Sequence, residues 1–351
     1  MSSVVEVNVL HGAVRDYVTQ VFSRLGLPEE DAAVVADSLV EADLRGVHSH
    51  GMLMVAGYVG RIRKGEVNLR PQIKTVRASK GTLLIDGDNG MGQVVARQAM
   101  ELVIGKARET GAGVVGVAHS SHYAAGAYWA LKAVAQNMIG FALTGTGAAI
   151  APWGGRTKIL GTNPWTIAVP AGTEYPVVLD MATSVVAAGK LVWAAERGEK
   201  VPVGWALDPD EQPTDDPKRG LAGRLLPFGS YKGYGLMVMV DLLASLLTGG
   251  DIGPQVSNAV RDGRDLNIGH YFQAIDVSAF MPVDAFKARV DDYVQLLSHS
   301  EREAGSEQVL LPGEREFRLA DKRRQSGIPM PRQLMTEIET IGKELGIAAR
   351  W

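Results

Sequence analysis

The sequence predicts an α/β protein with a mixed central sheet, and three observations carry that expectation. Apolar runs at residues 82–85, 114–118, 139–143, 165–169 and 177–179 have the length of strands, and helical stretches at about 94–108 and 124–136 lie between them. Both ends of the chain instead repeat apolar residues at the helical period. Glycine clusters mark the seams, as in Gly87-Asp88-Asn89-Gly90-Met91-Gly92 and Gly145-Thr146-Gly147.

In order along the chain, Leu10, Val14, Val18, Val21, Phe22 and Leu25 form one face of an amphipathic helix that Gly26 stops. Pro28 followed by Glu29, Glu30 and Asp31 opens a second helix with acids in its first turn, and Val34, Val35, Leu39, Val40 and Leu44 carry it to Gly46. The short segment Val47-His48-Ser49-His50-Gly51 leads into a third helical pattern at residues 52–63. Two histidines therefore stand where one helix ends and another begins. Beyond the α/β middle, Tyr231-Lys232-Gly233-Tyr234-Gly235 precedes an apolar helix running to about residue 247, and residues 332–349 close the chain with a helical pattern. Residues 208–219, rich in Asp and Pro, read as an exposed loop. There is no internal repeat and no low-complexity segment.

Bulk properties narrow the function. The 351 residues, 46% hydrophobic and 21% charged, can bury one or two associated cores and argue against long disordered stretches. A net charge of −3 with scattered basic residues excludes the basic stripe of a nucleic-acid binder. Without cysteine there is no disulfide, thiolate nucleophile or thiolate metal site. Residues 1–10 lack the layout of a signal peptide, and the longest apolar stretch, residues 235–247, falls short of the roughly 20 residues that cross a bilayer and reads as a buried helix. A cytoplasmic location is the expectation.

A doubly wound dinucleotide enzyme should carry Gly-x-Gly-x-x-Gly between a strand and a helix. Gly145-Thr146-Gly147-Ala148-Ala149-Ile150 lacks the third glycine and runs into Pro152, so spacing alone leaves the cofactor open. His48-Ser49-His50 has two readings. In an extended segment positions i and i+2 share a side, so both imidazoles could serve a metal-dependent hydrolase. Either could instead cap the preceding helix or lie on the surface.

Taken with further blocks, the chain resembles the malate/L-lactate dehydrogenase family of the second type, which includes ureidoglycolate, sulfolactate and 2,3-diketogulonate oxidoreductases and an imine reductase branch. The resemblance spans about residues 8–335. It rests on Ala42-Asp43-Leu44-Arg45-Gly46-Val47-His48-Ser49-His50-Gly51, Ser120-Ser121-His122-Tyr123-Ala124-Ala125-Gly126 and Gly161-Thr162-Asn163-Pro164. Asp180-Met181-Ala182-Thr183-Ser184, Gly189-Lys190, Tyr231-Lys232-Gly233-Tyr234-Gly235-Leu236 and Leu311-Pro312-Gly313-Glu314 complete it.

The resemblance implies a non-Rossmann nicotinamide-binding fold. A helical part from the N- and C-terminal segments, residues 1–75 with the catalytic histidine and 286–351, would flank a cofactor-binding core at 76–285. It also implies a homodimer with a shared cofactor site, which would account for the missing glycine fingerprint, and no metal. The cofactor would be NAD, with NADP as the alternative, and the partner a small 2-oxo or 2-hydroxy acid. Hydride reduction of a ketone leaves an alkoxide that needs a nearby acid with a pKa near neutrality, and the resemblance assigns that role to His50, with Ser49 as a relay or orienting hydroxyl or else a helix cap. It places His122, Tyr123, Ala124, Ala125, Asp180, Met181, Ala182, Lys232, Gly233, Gly313 and Glu314 against the cofactor, with Asp180 alternatively an N-cap before Ser184. Thr162 and Asn163 would line the substrate side. Lys190 stands where the imine reductases carry aspartate, which favours an oxo acid over a cyclic imine, and it could bind a carboxylate or lie solvated. His48 before Ser49 matches the ureidoglycolate branch. One position departs from the family: Met54 replaces the arginine that many members carry four residues after the catalytic histidine, so Arg45, Lys190 or a partner residue would hold the carboxylate, or the substrate is larger and less polar than malate.

Overall fold

The computed structural model describes residues 6–349; of the opening stretch read for a signal peptide, residues 1–5 lie outside that range. The chain begins with β1 (Glu6–Val9), α1 (His11–Arg24), α2 (Glu29–Leu44) and α3 (Val55–Arg63). Gly26 and Gly46 take left-handed φ of 107° and 78°, so both predicted helix stops are backbone positions that suit glycine. Strands β2 (Lys74–Ala78) and β3 (Thr82–Asp86), helix α4 (Gly92–Thr110), β4 (Ala112–Ser120), α5 (Gly126–Val134), β5 (Met138–Thr144), β6 (Trp165–Val169) and β7 (Val177–Met181) follow.

Next come α6 (Ala188–Arg197), β8 (Ala206–Leu207), α7 (Pro217–Ala222), β9 (Arg224–Leu225), α8 (Tyr231–Val240) and α9 (Gly253–Asp262). The last elements are β10 (Ile268–Asp276), α10 (Val283–Ser298), α11 (Glu314–Ser326), β11 (Ile328–Pro331) and α12 (Arg332–Glu344). The main sheet has seven strands in the order β2-β3-β4-β10-β5-β6-β7. It is mixed as expected: only β3 and β4 run parallel. Its middle strand, β10, is one that the sequence pattern does not reveal. From His270 to Ile275 buried and half-buried residues alternate, but polar His270 stands on the buried face with Phe272 and Ala274, and Tyr271 and Ile275 on the other face beside Gln273, so neither an apolar run nor a polar–apolar alternation marks the strand. His270 is fully buried because Thr144 and Ser120, on the two flanking strands, each lie 2.8 Å from one of its ring nitrogens.

Two further expectations change. The stretch 208–219 is not a plain loop: Asp216 caps α7 by accepting from the Lys218 and Arg219 amides, and Arg219 pairs with the buried Asp208. The apolar helix at 231–247 turns π-helical at Asp241–Leu246 and leaves Met239, Leu242, Leu246 and Leu247 exposed, so it is buried on one side only.

One apolar core joins α1, α2 and α3 to β11 and α12, so the two chain ends close on each other, an arrangement that β1 and β11 extend by antiparallel pairing. A second core fills the space between α4 and the sheet. The connection between α2 and α3, with its two histidines, is anchored to the first core through Leu44, Met52 and Val55.

Candidate active site

The segment after α2 is shaped by a charge in an apolar register. Asp43 lies on the face of α2 that carries Leu39 and Val40, and it is 1% exposed. One carboxylate oxygen lies 2.6 Å from His48 Nδ1 and the other accepts the Met52 amide at 2.7 Å, so a single buried group buckles both ends of the turn around His50. Gly51 runs so close to that carboxylate that a Cβ would overlap it. Burial pushes the Asp43 carboxyl up, against the opposing pull of its bond to His48.

Within the turn, His48–His50 is a 3-10 helix rather than an extended segment, which places i and i+2 on different sides. His48 turns to Asp43 and to Arg323, whose Nη2 lies 3.3 Å from its Nε2. His50 faces the other way. Its Nδ1 is 2.9 Å from Ser49 Oγ, and its ring stacks on His122 with centroids 5.4 Å apart. The two-histidine metal reading thus loses the extended geometry it needed, and among the described residues no group of three or more His, Asp or Glu side chains gathers where it could hold a metal.

The second wall comes from the loop between β4 and α5. His119 near the end of β4 and Ala124 in the loop both hold left-handed φ, 50° and 67°, and this strained path brings His122 to His50. His122 Nδ1 is 2.6 Å from the buried Tyr58 hydroxyl of α3. Burial pushes His122 down to about 3, with the charges of His50 and His270 adding to the effect. His50 is lowered too, chiefly by burial, while the negative charge of Asp180 pulls the other way. Asp180, at the end of β7, accepts from the Thr166 hydroxyl at 2.7 Å and from the Ala127 amide at 2.9 Å, so it caps the start of α5 and not a helix before Ser184. Among the described residues neither His50 nor His122 has a hydrogen-bond partner at Nε2. A neutral imidazole held at one nitrogen and open at the other can take up or give one proton at a defined place.

Residues 9–339 match the malate/L-lactate dehydrogenase family. The chain belongs to that family. Over 339 residues it is 40% identical to a malate dehydrogenase of Pyrococcus abyssi, covering 94% of this chain and 93% of the relative. It is 36% identical over 292 residues to the NAD(+) ureidoglycolate dehydrogenase of Escherichia coli O157:H7, covering 82% of each. The solved structure of the sulfolactate dehydrogenase of Methanocaldococcus jannaschii superposes with a TM-score of 0.91 at 39% identity, over 98% of both chains.

Against this family background the residues singled out in the sequence divide. Ser49, His50, His122 and Asp180 come together. Phe228, just before the start of α8 that holds Lys232 and Gly233, donates its amide to Thr183, and Val178 donates to Pro312 beside Gly313, so both segments are tied to β7 and the residues that follow it. Gly313 needs its left-handed φ of 84° there, with Val178 close behind it. Glu314 accepts the Leu311 amide at 3.0 Å and pairs with Arg318, which shapes the turn from within. Ala125 is buried beside Ala124, while Met181 and Ala182 remain partly open and Lys232 is exposed.

Others serve the fold. The Tyr123 ring lies in the core against His270 and Phe272, so only its backbone can meet a ligand. The Asn163 side chain is fully buried, with Oδ1 accepting the Thr146 amide and Nδ2 donating to Met237. The neighbouring Thr162 uses its carbonyl for the Thr183 amide and hydroxyl. Arg45 stacks on Phe317 at 4.4 Å and is buried, which removes it as a free carboxylate clamp. Lys190 is exposed in the first turn of α6, next to Gly189, whose backbone approaches Ser49. Met54 packs partly buried against the helical core. Asp43, Tyr58 and Gln93 were missed; a carboxylate on the apolar face of a helix was the one available signal, for Asp43.

Proposed function

We propose that this protein is a nicotinamide-dependent 2-hydroxy acid dehydrogenase with His50 as its proton-exchanging residue. The observation that carries the reading is the half-open His50 ring, held at Nδ1 by Ser49 and stacked on His122, in a chain of this family. The cofactor, NAD or alternatively NADP, supplies the two-electron acceptor or donor when bound. The residues present fit such a group: α8 starts without a side-chain cap and with Lys232 exposed in its first turn, which suits an anion, and Ala124, Ala125, Ala182 and Gly313 allow a close backbone approach. The resemblance adds His122, Met181, Gly233 and Glu314 to the proposed cofactor set.

In the oxidation direction neutral His50 takes the hydroxyl proton as the carbonyl forms; in reduction the imidazolium returns it to the developing alkoxide. Ser49 orients the ring and Asp180 stabilises its charged form. The sign of the pH dependence follows. Burial favours neutral His50, so kcat/KM for oxidation should rise with pH around a midpoint below the ordinary value of about 6.5, and reduction should fall over the same window. Asp180→Asn removes the charge that opposes burial and should move that midpoint further to the acid side, as pH profiles in both directions would record. An unmoved midpoint would separate Asp180 from His50.

The experiment that tests the reading follows nicotinamide absorbance with NADH and NADPH in parallel, against pyruvate, oxaloacetate, 2-oxoglutarate, bulkier apolar 2-oxo acids and a cyclic imine. Turnover of an oxo acid supports it; turnover of the cyclic imine alone replaces it with imine reduction, and binding of neither cofactor overturns it. Because Met54 offers no charge, bulky apolar acids should be preferred over oxaloacetate, and Met54→Arg should raise kcat/KM for oxaloacetate about tenfold, the effect of one charge-assisted pair.

The exposed row Met239, Leu242 and Leu246, continued by Leu247, supports a homodimer, since a monomer would leave this apolar stripe in water. No helix among the described residues is long and apolar enough to cross a membrane; a cytoplasmic location without nucleic-acid partners completes the proposal.

A further inference from the structure

Tyr58 lies outside every block that ties this chain to its family. Its hydroxyl nevertheless makes one of the shortest side-chain contacts near the site, 2.6 Å to His122 Nδ1. A phenol and an imidazole nitrogen can share a proton in two ways, and the surroundings decide which. Gln93, in the first turn of α4, is fully buried, but neither its amide nitrogen nor its amide oxygen makes a hydrogen bond, so His122 Nδ1 is the one hydrogen-bond partner of the Tyr58 hydroxyl among the described residues. A phenol proton turned anywhere else would be buried without an acceptor, so it is donated to His122 Nδ1. Burial pushes Tyr58 far above the ordinary tyrosine range, so the phenol keeps its proton, and pushes His122 to about 3, so the imidazole stays neutral.

We infer that Tyr58 is a positioning residue that locks His122 in a single neutral tautomer, with Nδ1 accepting and an Nε2–H turned to the cleft beside His50. His122 then offers the bound acid a fixed hydrogen-bond donor next to the proton-exchanging ring. In a site where Met54 brings no guanidinium and Arg45 is stacked on Phe317, such a donor serves the oxygen of the oxo group or the carboxylate without adding a second titrating cation. The groups that act on this ring are His50 across the stack, His270 from the central strand, and Tyr58 on its own edge. Arg61, one turn along α3 from Tyr58, lines a small cavity with both Tyr58 and His122, and Asp180 acts on His50. The donor role for His122 rests on the dehydrogenase reading; the tautomer does not.

The tautomer is directly readable in the full-length protein by nitrogen NMR of 15N-histidine-labelled samples, with His122 assigned by its loss in His122→Gln. The wild type should show His122 with a non-protonated Nδ1 and a protonated Nε2 across neutral pH. Tyr58→Phe, which keeps the packing and removes the hydroxyl, should convert this to a mixture of tautomers and lower kcat about tenfold or more with little change in the cofactor's KM. A protonated Nδ1 in the wild type, an unchanged tautomer in Tyr58→Phe, or a changed tautomer with kcat intact would each overturn the inference. If the tautomer behaves as stated but the wild type reduces no oxo acid, the dehydrogenase reading fails while the Tyr58 assignment stands.

Discussion

His50→Ala should lower kcat by about 10²- to 10⁴-fold in both directions while leaving cofactor binding in place, the range for losing a positioned acid–base group. Binding should persist because His50 is held by Ser49 and His122, and its removal breaks no bond of the loops near Lys232 or Gly313. Activity measured with the product-forming oxo acid, together with cofactor titration by fluorescence quenching, separates the two effects. His50→Gln is a useful companion, since it fills the space and can donate a hydrogen bond but cannot exchange a proton at neutral pH. If either variant retains full turnover, the proton passes through another group, and His122 would be the next to substitute.

Gly51→Ala should be nearly as damaging, for a different reason. The added methyl group would overlap the Asp43 carboxylate, which is fully buried and already committed to His48 and to the Met52 amide. Neither side can yield without breaking one of those bonds, so the turn that carries Ser49 and His50 must shift. A displacement on the order of 1 Å is enough to cost about 10²-fold in rate, and overpacking of this kind typically costs about 1–3 kcal/mol of stability. Gly57→Ala in the next helix is the control: it is exposed, with nothing within 4 Å of an added Cβ, and removing a glycine from a helix interior there should stabilise by up to about 1 kcal/mol. Thermal melts and kcat for the pair distinguish a shifted turn from a general intolerance of alanine. Wild-type activity in Gly51→Ala would mean that the Asp43 buckle does not set the position of His50.

Much of the fold can be read because the local patterns agree with the final packing. The helices at both ends bury one face each, and β3 to β7 appear as short apolar runs since each contributes to a sheet covered by helices. β10 escapes because its buried His270 is satisfied only by strands that lie far away in the chain. The site divides in the same way. Ser49 next to His50 is a local relationship, and the structure keeps it as one. Asn163 and Tyr123 fall in blocks that mark the family, yet their side chains turn to the interior, where a buried amide or ring finds its partners among residues distant in sequence.

What the sequence determined by itself was the class of the protein, the helix ends at Gly26 and Gly46, and the junction at which His48, Ser49 and His50 stand. These depend on periodicity, on backbone positions that suit glycine and on neighbours along the chain. Only the tertiary structure decided which histidine faces the site, that a buried Asp43 buckles the turn, and that His122, bonded to Tyr58 of a helix, reaches His50 from a strained loop. Burial and pairing of polar groups are settled by what surrounds a residue in space, and a linear pattern does not carry that information.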